Sequence, residues 1–307
     1  MFEFNPVLVK ELRGRMRGAR AFVLLTIYLA ILSLVTLLLY TALAETAGTD
    51  LNAGRQIGKG LFLVTAAVAL IEVCIITPSL TAGSIAGEKE RQTYDLLIAS
   101  LLTPWQIVWG KLAAALAFAL LMILAILPVM SLAFLFGGVS LAEVLIALVG
   151  LVSTAVFYAA VGLFWSSIMR STLGATSFAL GSIILMLLGV PFLAVIFTLI
   201  FGSGNTAEWT RSAVFVYLGG AFISTHPFIA LGTTEVLLSS GENPFFSVVD
   251  PGGANVLVPA PWIAYVLLSV LFTTLLILLS VRMLHPAQYD QPRAEDHPRG
   301  DAEEGAS

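Results

Sequence analysis

The chain has 307 residues, of which 58% are hydrophobic and 11% are charged, and its formal net charge is −4. Soluble domains are about 45–50% apolar and about 25% charged, so this composition excludes a soluble globular protein and predicts a polytopic membrane protein. Its apolar runs are continuous, whereas the strands of a membrane barrel alternate over ~10 residues. The predicted fold class is therefore all-α. The single cysteine, Cys74, excludes a disulfide framework and a cysteine zinc site.

Residues 1–20 have the pattern of a helix that lies at a membrane surface. Asn5-Pro6 places a capping residue before a proline at the first helical position, which is a favourable helix start. Four basic residues share one helical face, and apolar residues occupy the opposite face. The basic residues are Lys10, Arg13, Arg17 and Arg20. The pattern fits either an interfacial amphipathic helix or the positive flank of the first span, and both place this end in the cytoplasm.

Six apolar runs within residues 21–284 are long enough to cross a bilayer. They cover residues 21–44, 61–82, 112–136, 144–165, 173–201 and 262–281. The first run ends in Ala42-Leu43-Ala44, which resembles a signal-peptidase site. The run is longer than the ~7–15 apolar residues of a signal peptide, so we expect an uncleaved span. Residues 285–307 are rich in proline and acidic residues and are predicted to form a disordered tail.

The segment 83–111 between the second and third spans is unusually charged. A charge at the bilayer centre costs ~2.5–3.5 kcal/mol on insertion scales, so this segment must lie in water or at the membrane surface. No residue from Glu88 to about Leu102 breaks a helix, and Pro104 marks a boundary at Thr103. Four apolar residues share one helical face: Tyr94, Leu97, Ile98 and Leu101. This predicts a short amphipathic helix that docks into a partner's groove, or else a solvated loop with a helical turn on the lipid surface.

Residues 202–261 are ambiguous, because the apolar run 213–238 is interrupted by glycines and by His226-Pro227. It could be a seventh span or a re-entrant pair of half-helices. With six spans and both termini inside, only three of the fifteen basic residues lie outside: Arg55, Lys59 and Arg211. The other twelve are cytoplasmic, as the positive-inside rule expects. A seventh span would put Arg282 outside, so an extracytoplasmic re-entrant or surface segment is favoured.

Three stretches of the chain resemble a known family. Residues 5–22 resemble the N-terminal interfacial helix of type-2 ABC exporter permeases, with the sequence NPVLVKELRGRMRGARAF. Residues 82–111 resemble their cytoplasmic segment between spans two and three, with the sequence AGSIAGEKERQTYDLLIASLLTPWQIVWGK. His226-Pro227-Phe228 resembles the Asn-Pro-Phe that often precedes their last span, with histidine in place of asparagine.

The resemblance implies a permease of the plasma membrane that works as a homodimer or heterodimer of six-span subunits. Each subunit would bind a cytoplasmic ABC ATPase, and membrane lipid would be the other partner, with no role for nucleic acid. The helix 88–102 would be the coupling helix that enters the ATPase cleft. Its expected contact residues are Glu88, Glu90, Arg91, Tyr94, Leu97, Ile98 and Leu101. Such families export many kinds of substrate, so the resemblance does not name one.

The chain carries no recognisable ATPase of its own. The stretch from Gly54 to Gly60 superficially suggests a phosphate-binding loop, but its spacing is wrong and no serine or threonine follows Lys59. With three histidines, one cysteine and no paired acidic motif in any span, the sequence predicts no catalytic, cofactor or metal site. His226 is expected to be structural.

Glu72 lies near the middle of the second span and is the main candidate for the translocation path. An acid at that depth either contacts a substrate or cation, or is a neutral group that hydrogen-bonds to a neighbouring helix. Two other functions stay open: a stand-alone ion-coupled carrier that uses Glu72, and a membrane scaffold that transports nothing. No internal repeat is evident, so an inverted-repeat carrier has little support.

Overall fold

The computed structural model describes residues 6–16, 19–47, 53–94, 102–201, 212–249 and 256–284. In these ranges the chain is almost entirely helical. The long helices are α2 (Ala19–Ala47), α3 (Ala53–Glu90), α4 (Pro104–Phe136), α5 (Leu141–Ile168), α6 (Thr172–Phe201) and α9 (Pro261–Met283). The short elements are α1 (Pro6–Met16), α7 (Ala213–Ile223), α8 (Pro227–Ser239), β1 (Phe246–Val249) and β2 (Val256–Pro259).

Six helices of the described chain, α2 to α6 and α9, are long and apolar enough to cross a membrane. This confirms the predicted all-α polytopic fold with six spans. The predicted boundary at Thr103 is also confirmed, because the Thr103 side chain accepts the N–H of Gln106 at 3.3 Å. The Gln106 side-chain oxygen in turn accepts the N–H of Thr103 at 2.9 Å. This capping box and the proline at the first helical position fix the start of α4.

Helix α3 is longer than the predicted span 61–82, because it has 38 residues and runs from Ala53 to Glu90. At ~1.5 Å per residue it is about 57 Å long, which exceeds the ~40–45 Å of a bilayer with its headgroups. Residues 45–60, which separate the first two predicted spans and were expected to form a short polar loop, are therefore helical over 53–60. Polarity indicated contact with water there, not the absence of a helix. Gly58 lets this end of α3 pack directly on the backbone of Gly137, at the turn between α4 and α5.

The predicted unbroken helix from Glu88 to Leu102 is also wrong, because Glu88 lies in the last turn of α3. Gln92 has a φ of 58°, and the N–H of Thr93 bonds back to the Glu88 carbonyl at 2.9 Å. The N–H of Gln92 bonds to the Lys89 carbonyl at 3.2 Å. This pair of bonds is a Schellman motif, which ends a helix at a left-handed residue. Glycine usually occupies that position, so the glutamine at position 92 did not indicate in the sequence that the helix ends there.

The predicted interfacial helix 1–20 is shorter in the structure. Helix α1 ends at Met16 and α2 begins at Ala19, so Arg20 belongs to α2. Arg17 lies outside the described residues. Lys10 and Arg13 are exposed on α1. The opposite side of α1 packs mainly against α4.

Helices α3 and α5 form the centre of the bundle, and α2, α4, α6 and α9 surround them. The two central helices touch at the backbone, because a Cβ on Gly162 of α5 would collide with Thr81 and Pro78 of α3. Close approach at a small residue is a common way to pack membrane helices. The outer helices α2 and α6 are mostly uncovered, because only 17% and 6% of their most apolar stretches are buried.

The interrupted run 213–238 forms two helices, α7 and α8, that bend by 116° at the break. His226 caps α8, and Pro227 takes its first helical position. Such a bent pair fits either a broken seventh span or a re-entrant loop, so the favoured re-entrant or surface arrangement stays a prediction. A short antiparallel hairpin, β1 with β2, follows and was not predicted. Its strands have four residues each, which is too short for a clear alternating pattern.

Candidate functional site

The candidate site lies at the charged end of α3, where Glu88, Lys89 and Glu90 follow one another in the last helical turn. Successive residues of a helix point about 100° apart, because a turn has 3.6 residues. Three neighbouring side chains can therefore reach three different helices. We call this cluster, together with its partners on α1, α4, α5 and α6, the α3 junction.

Glu88 joins the junction to α1 and α4 through a buried lysine. Lys111 of α4 has a side chain that is 1% exposed, and its Nζ donates to Glu88 Oε1 at 2.9 Å and Glu11 Oε1 at 3.1 Å. It also donates to the carbonyl of Ser84 at 2.8 Å, so all three ammonium protons are used. A lysine buried in this way must keep its partners, since an unpaired buried charge is very costly.

Lys89 joins the junction to α5. Its Nζ donates to the carbonyl of Ser167, in the last turn of α5, and also lies 5.5 Å from the centre of the Tyr94 ring. The last carbonyls of a helix lack partners within the helix and carry the negative end of its dipole. The Lys89 ammonium group therefore gives one of these carbonyls a donor and places a positive charge at the negative end of the α5 dipole.

Glu90 joins the junction to α6. Its Oε2 accepts the N–H of Thr172 at 2.9 Å and the Thr172 hydroxyl at 2.6 Å. Thr172 is the first residue of α6, whose initial N–H groups have no partner within the helix. Glu90 therefore caps α6 from another helix, and its negative charge suits the positive end of the α6 dipole.

The backbone of α3 is held at the same level. Ser166 Oγ of α5 accepts the N–H groups of Ile85 at 2.9 Å and Ala86 at 3.0 Å. Ile85 and Ala86 are fully buried. Gly87 faces Thr172, where a Cβ would lie 3.2 Å from the Thr172 methyl. The end of α3 is thus fixed to α1, α4, α5 and α6 within about two helical turns.

The structure brings some of the predicted coupling residues together and leaves others apart. Glu88 and Glu90 form the junction, Arg91 is exposed in the turn that follows, and Tyr94 is half-buried beside Lys89. The predicted contacts Leu97, Ile98 and Leu101 lie outside the described residues.

Sequence reasoning missed several partners in the junction: Glu11, Lys111, Ser166 and Thr172. Lys111 carried a usable signal, because it is a lysine next to a long apolar run and would need an acidic partner if buried. The other three residues are ordinary polar residues whose roles depend on helix packing.

Glu72 is buried between helices of the bundle, with 8% of its surface exposed. Within the described part of the chain neither of its carboxyl oxygens has a hydrogen-bond partner, and the Tyr28 hydroxyl of α2 has none either. The structure therefore supplies no hydrogen bond of the kind that a purely structural glutamic acid would make. Its role in translocation stays a prediction.

His226 occupies a structural position. Its Nδ1 accepts the N–H of Ile229 at 3.2 Å, so its proton lies on Nε2, which is 3.0 Å from the Leu187 carbonyl. Both ring nitrogens are thus used to hold α8 against α6. Among the described residues no group of three or more His, Cys, Asp or Glu could hold a metal ion.

These features define a polytopic helical membrane protein whose helices meet at a charged, hydrogen-bonded junction. Residues 42–281 match the family model described as ABC-2 family transporter protein. The match covers most of the chain, which therefore belongs to the ABC-2 transporter family and is a permease subunit of an ABC transporter. Membership of this family implies partnership with an ABC ATPase. No curated protein matches the chain.

Proposed function

We propose that the chain is the membrane subunit of an ATP-driven exporter and that a separate cytoplasmic ATPase acts on it at the α3 junction. The family assignment supports a permease that works with an ABC ATPase. The observation that carries the coupling site is the arrangement at the end of α3. An exposed turn, residues 91–93, lies directly beside a junction of five helices that is centred on the buried Lys111.

In this proposal the turn receives the motion of the ATPase, and the junction distributes it. Arg91, Gln92 and Thr93 are all exposed and are available to a partner. A displacement of this turn pulls on Glu88, Lys89 and Glu90, which each hold a different helix. Charge-assisted hydrogen bonds are stronger than neutral ones, so these links move the helices together instead of yielding. Tyr94 and the segment that follows it, including Leu97, Ile98 and Leu101, provide the apolar contact with the ATPase.

The proposal includes an arrangement in the membrane, which the distribution of basic residues supports. The α3 junction and both termini lie in the cytoplasm, and residues 202–261 lie on the opposite side. Lys10 and Arg13 of α1 face the lipid headgroups, as expected for a basic interfacial helix. A second permease subunit and lipid cover the open faces of α2 and α6.

The test is the composition and activity of the native complex. We expect an ABC ATPase to co-purify with the chain from native membranes and the complex to hydrolyse ATP. The chain purified alone should not hydrolyse ATP. ATP hydrolysis by the isolated chain would overturn this assignment, and so would a native complex that contains no ATPase.

A second candidate function is a carrier in which Glu72 binds a proton or a cation. The observation that favours it is that Glu72 and the Tyr28 hydroxyl, both inside the bundle, have no hydrogen-bond partner among the described residues. A buried acid without a partner is a group that a cation or proton would stabilise. Transport by proteoliposomes that contain the chain alone, driven by an ion gradient and abolished by Glu72→Gln, would support this candidate over the ABC exporter.

A further inference from the structure

A cavity of about 370 Å³ lies between α3, α5 and α8, at the end of the bundle opposite to the α3 junction. Its volume falls within the ~300–1,000 Å³ of typical small-molecule pockets. The wall is mainly apolar and includes Phe62, Leu70, Leu151, Phe228 and Leu231. Such a wall suits the apolar body of a ligand.

Three charged residues lie beside this cavity and join the same three helices. Lys59 of α3 contacts Glu143 of α5 at 3.2 Å and also pairs with Glu235 of α8. The two glutamate side chains are 10% and 12% exposed. Both glutamates line the cavity, whereas Lys59 does not. The charge that faces the cavity is therefore acidic, and the three residues together carry one negative charge.

We propose that this cavity binds small amphipathic molecules with a single positive charge. The apolar body would occupy the space between α3, α5 and α8, and the cationic group would lie at Glu143 and Glu235. A cation would balance the charge of two carboxylates that share one lysine, and buried charges require such balance. An anion would instead meet two nearly buried carboxylates. Binding at this cavity is inferred from the geometry of its lining alone. That the bound molecule is also a substrate of the exporter rests on the proposed function.

Gly232 offers a way to fill the cavity without disturbing its walls. It lines the cavity, and a Cβ added to it would meet no atom within 4 Å. Gly219 of α7 is a matched control, because a Cβ there also meets nothing within 4 Å and the residue does not line the cavity. Gly150 would not serve, because a Cβ there would collide with Leu231.

The experiment measures binding of radiolabelled tetraphenylphosphonium to the full chain in lipid nanodiscs. We expect one saturable site for each chain. Gly232→Leu should weaken binding at least tenfold, and Gly219→Leu should leave it unchanged. Glu235→Gln should weaken binding about tenfold, because it removes the net negative charge. Tetraphenylborate has nearly the same shape and the opposite charge, so it should not compete.

Each of three results would overturn the proposal: no saturable binding, equal competition by tetraphenylborate, or full binding by Gly232→Leu. Equal competition would show that binding depends on the apolar wall alone and not on the charge of Glu143 and Glu235. If Glu235→Gln fails to fold, the glycine pair and the two probe ions still decide the question. The assay uses the chain without an ATPase, so its failure is distinct from failure of the proposed function.

Discussion

Replacement of Lys111 by methionine is the sharpest test of the α3 junction. Lys111 Nζ contacts both Glu88 Oε1 and Glu11 Oε1, and the Lys111 side chain is 1% exposed. Methionine has a similar length but offers no donor and no charge. The variant therefore leaves two glutamates, 18% and 21% exposed, close together without their shared cation.

The expected loss follows from this burial. Removing one partner of a buried ion pair costs ~3–5 kcal/mol, and more than one bond is lost here. In a large domain each kcal/mol lost from the free energy of unfolding lowers the melting temperature by ~2–4 °C. The melting temperature of the variant should therefore fall by roughly 6–20 °C. Adding Glu88→Gln and Glu11→Gln to Lys111→Met should recover most of the loss, because the two carboxylate charges that Lys111 balances are then removed as well.

Cys74 provides the assay. It is the only cysteine in the sequence and is 2% exposed, so a thiol-reactive dye reports unfolding as the sample is heated. Lys10→Met is the matched control, because Lys10 is exposed on α1 and surface substitutions usually change stability by less than ~0.5 kcal/mol. If Lys111→Met melts at the wild-type temperature, or if the triple variant melts no higher than the single one, the ionic account of the junction is refuted.

Three further predictions concern the cap of α6, the buried acid and the topology. Glu90→Ala should lower the melting temperature more than Glu90→Gln, because glutamine keeps an oxygen that can accept the N–H of Thr172; equal losses would argue against capping. Glu72→Gln should impair transport while expression and assembly stay normal, and an unchanged transport rate would exclude Glu72 from the translocation path. In a Cys74→Ala background, a cysteine at Ser203 should react with an impermeant reagent in intact cells, and one at Ser307 should not. Labelling of Ser307 from outside would mean that 213–238 crosses the membrane.

The six spans and several boundaries could be predicted because they depend on local sequence. Long apolar runs identify the spans, and Pro104 and Pro227 start helices through the fixed geometry of proline. The length of α3 could not be predicted, because its polar ends are helical through contacts with distant residues such as Gly137. Nor could its end, since Gln92 adopts a conformation that glycine usually takes.

The candidate site was predicted only in part, for a related reason. The charged cluster around Glu88 was evident from composition, but its partners were not. Glu11 is 100 residues away from Lys111 along the chain, and Thr172 is 82 residues away from Glu90. A pattern within one helix cannot show which other helix each charge will meet.

The central claim is that an ABC ATPase acts on the chain at the turn after α3, and photo-crosslinking from α3 tests it most directly. Gln92 and Gln56 are both exposed glutamines near opposite ends of this helix, so they form a matched pair. A photoreactive amino acid is placed at each position in turn, and the complex is illuminated in native membranes. The account predicts a crosslink to the ATPase from position 92 and none from position 56. A crosslink from position 56, or none from position 92 in a complex that still contains the ATPase, would contradict it.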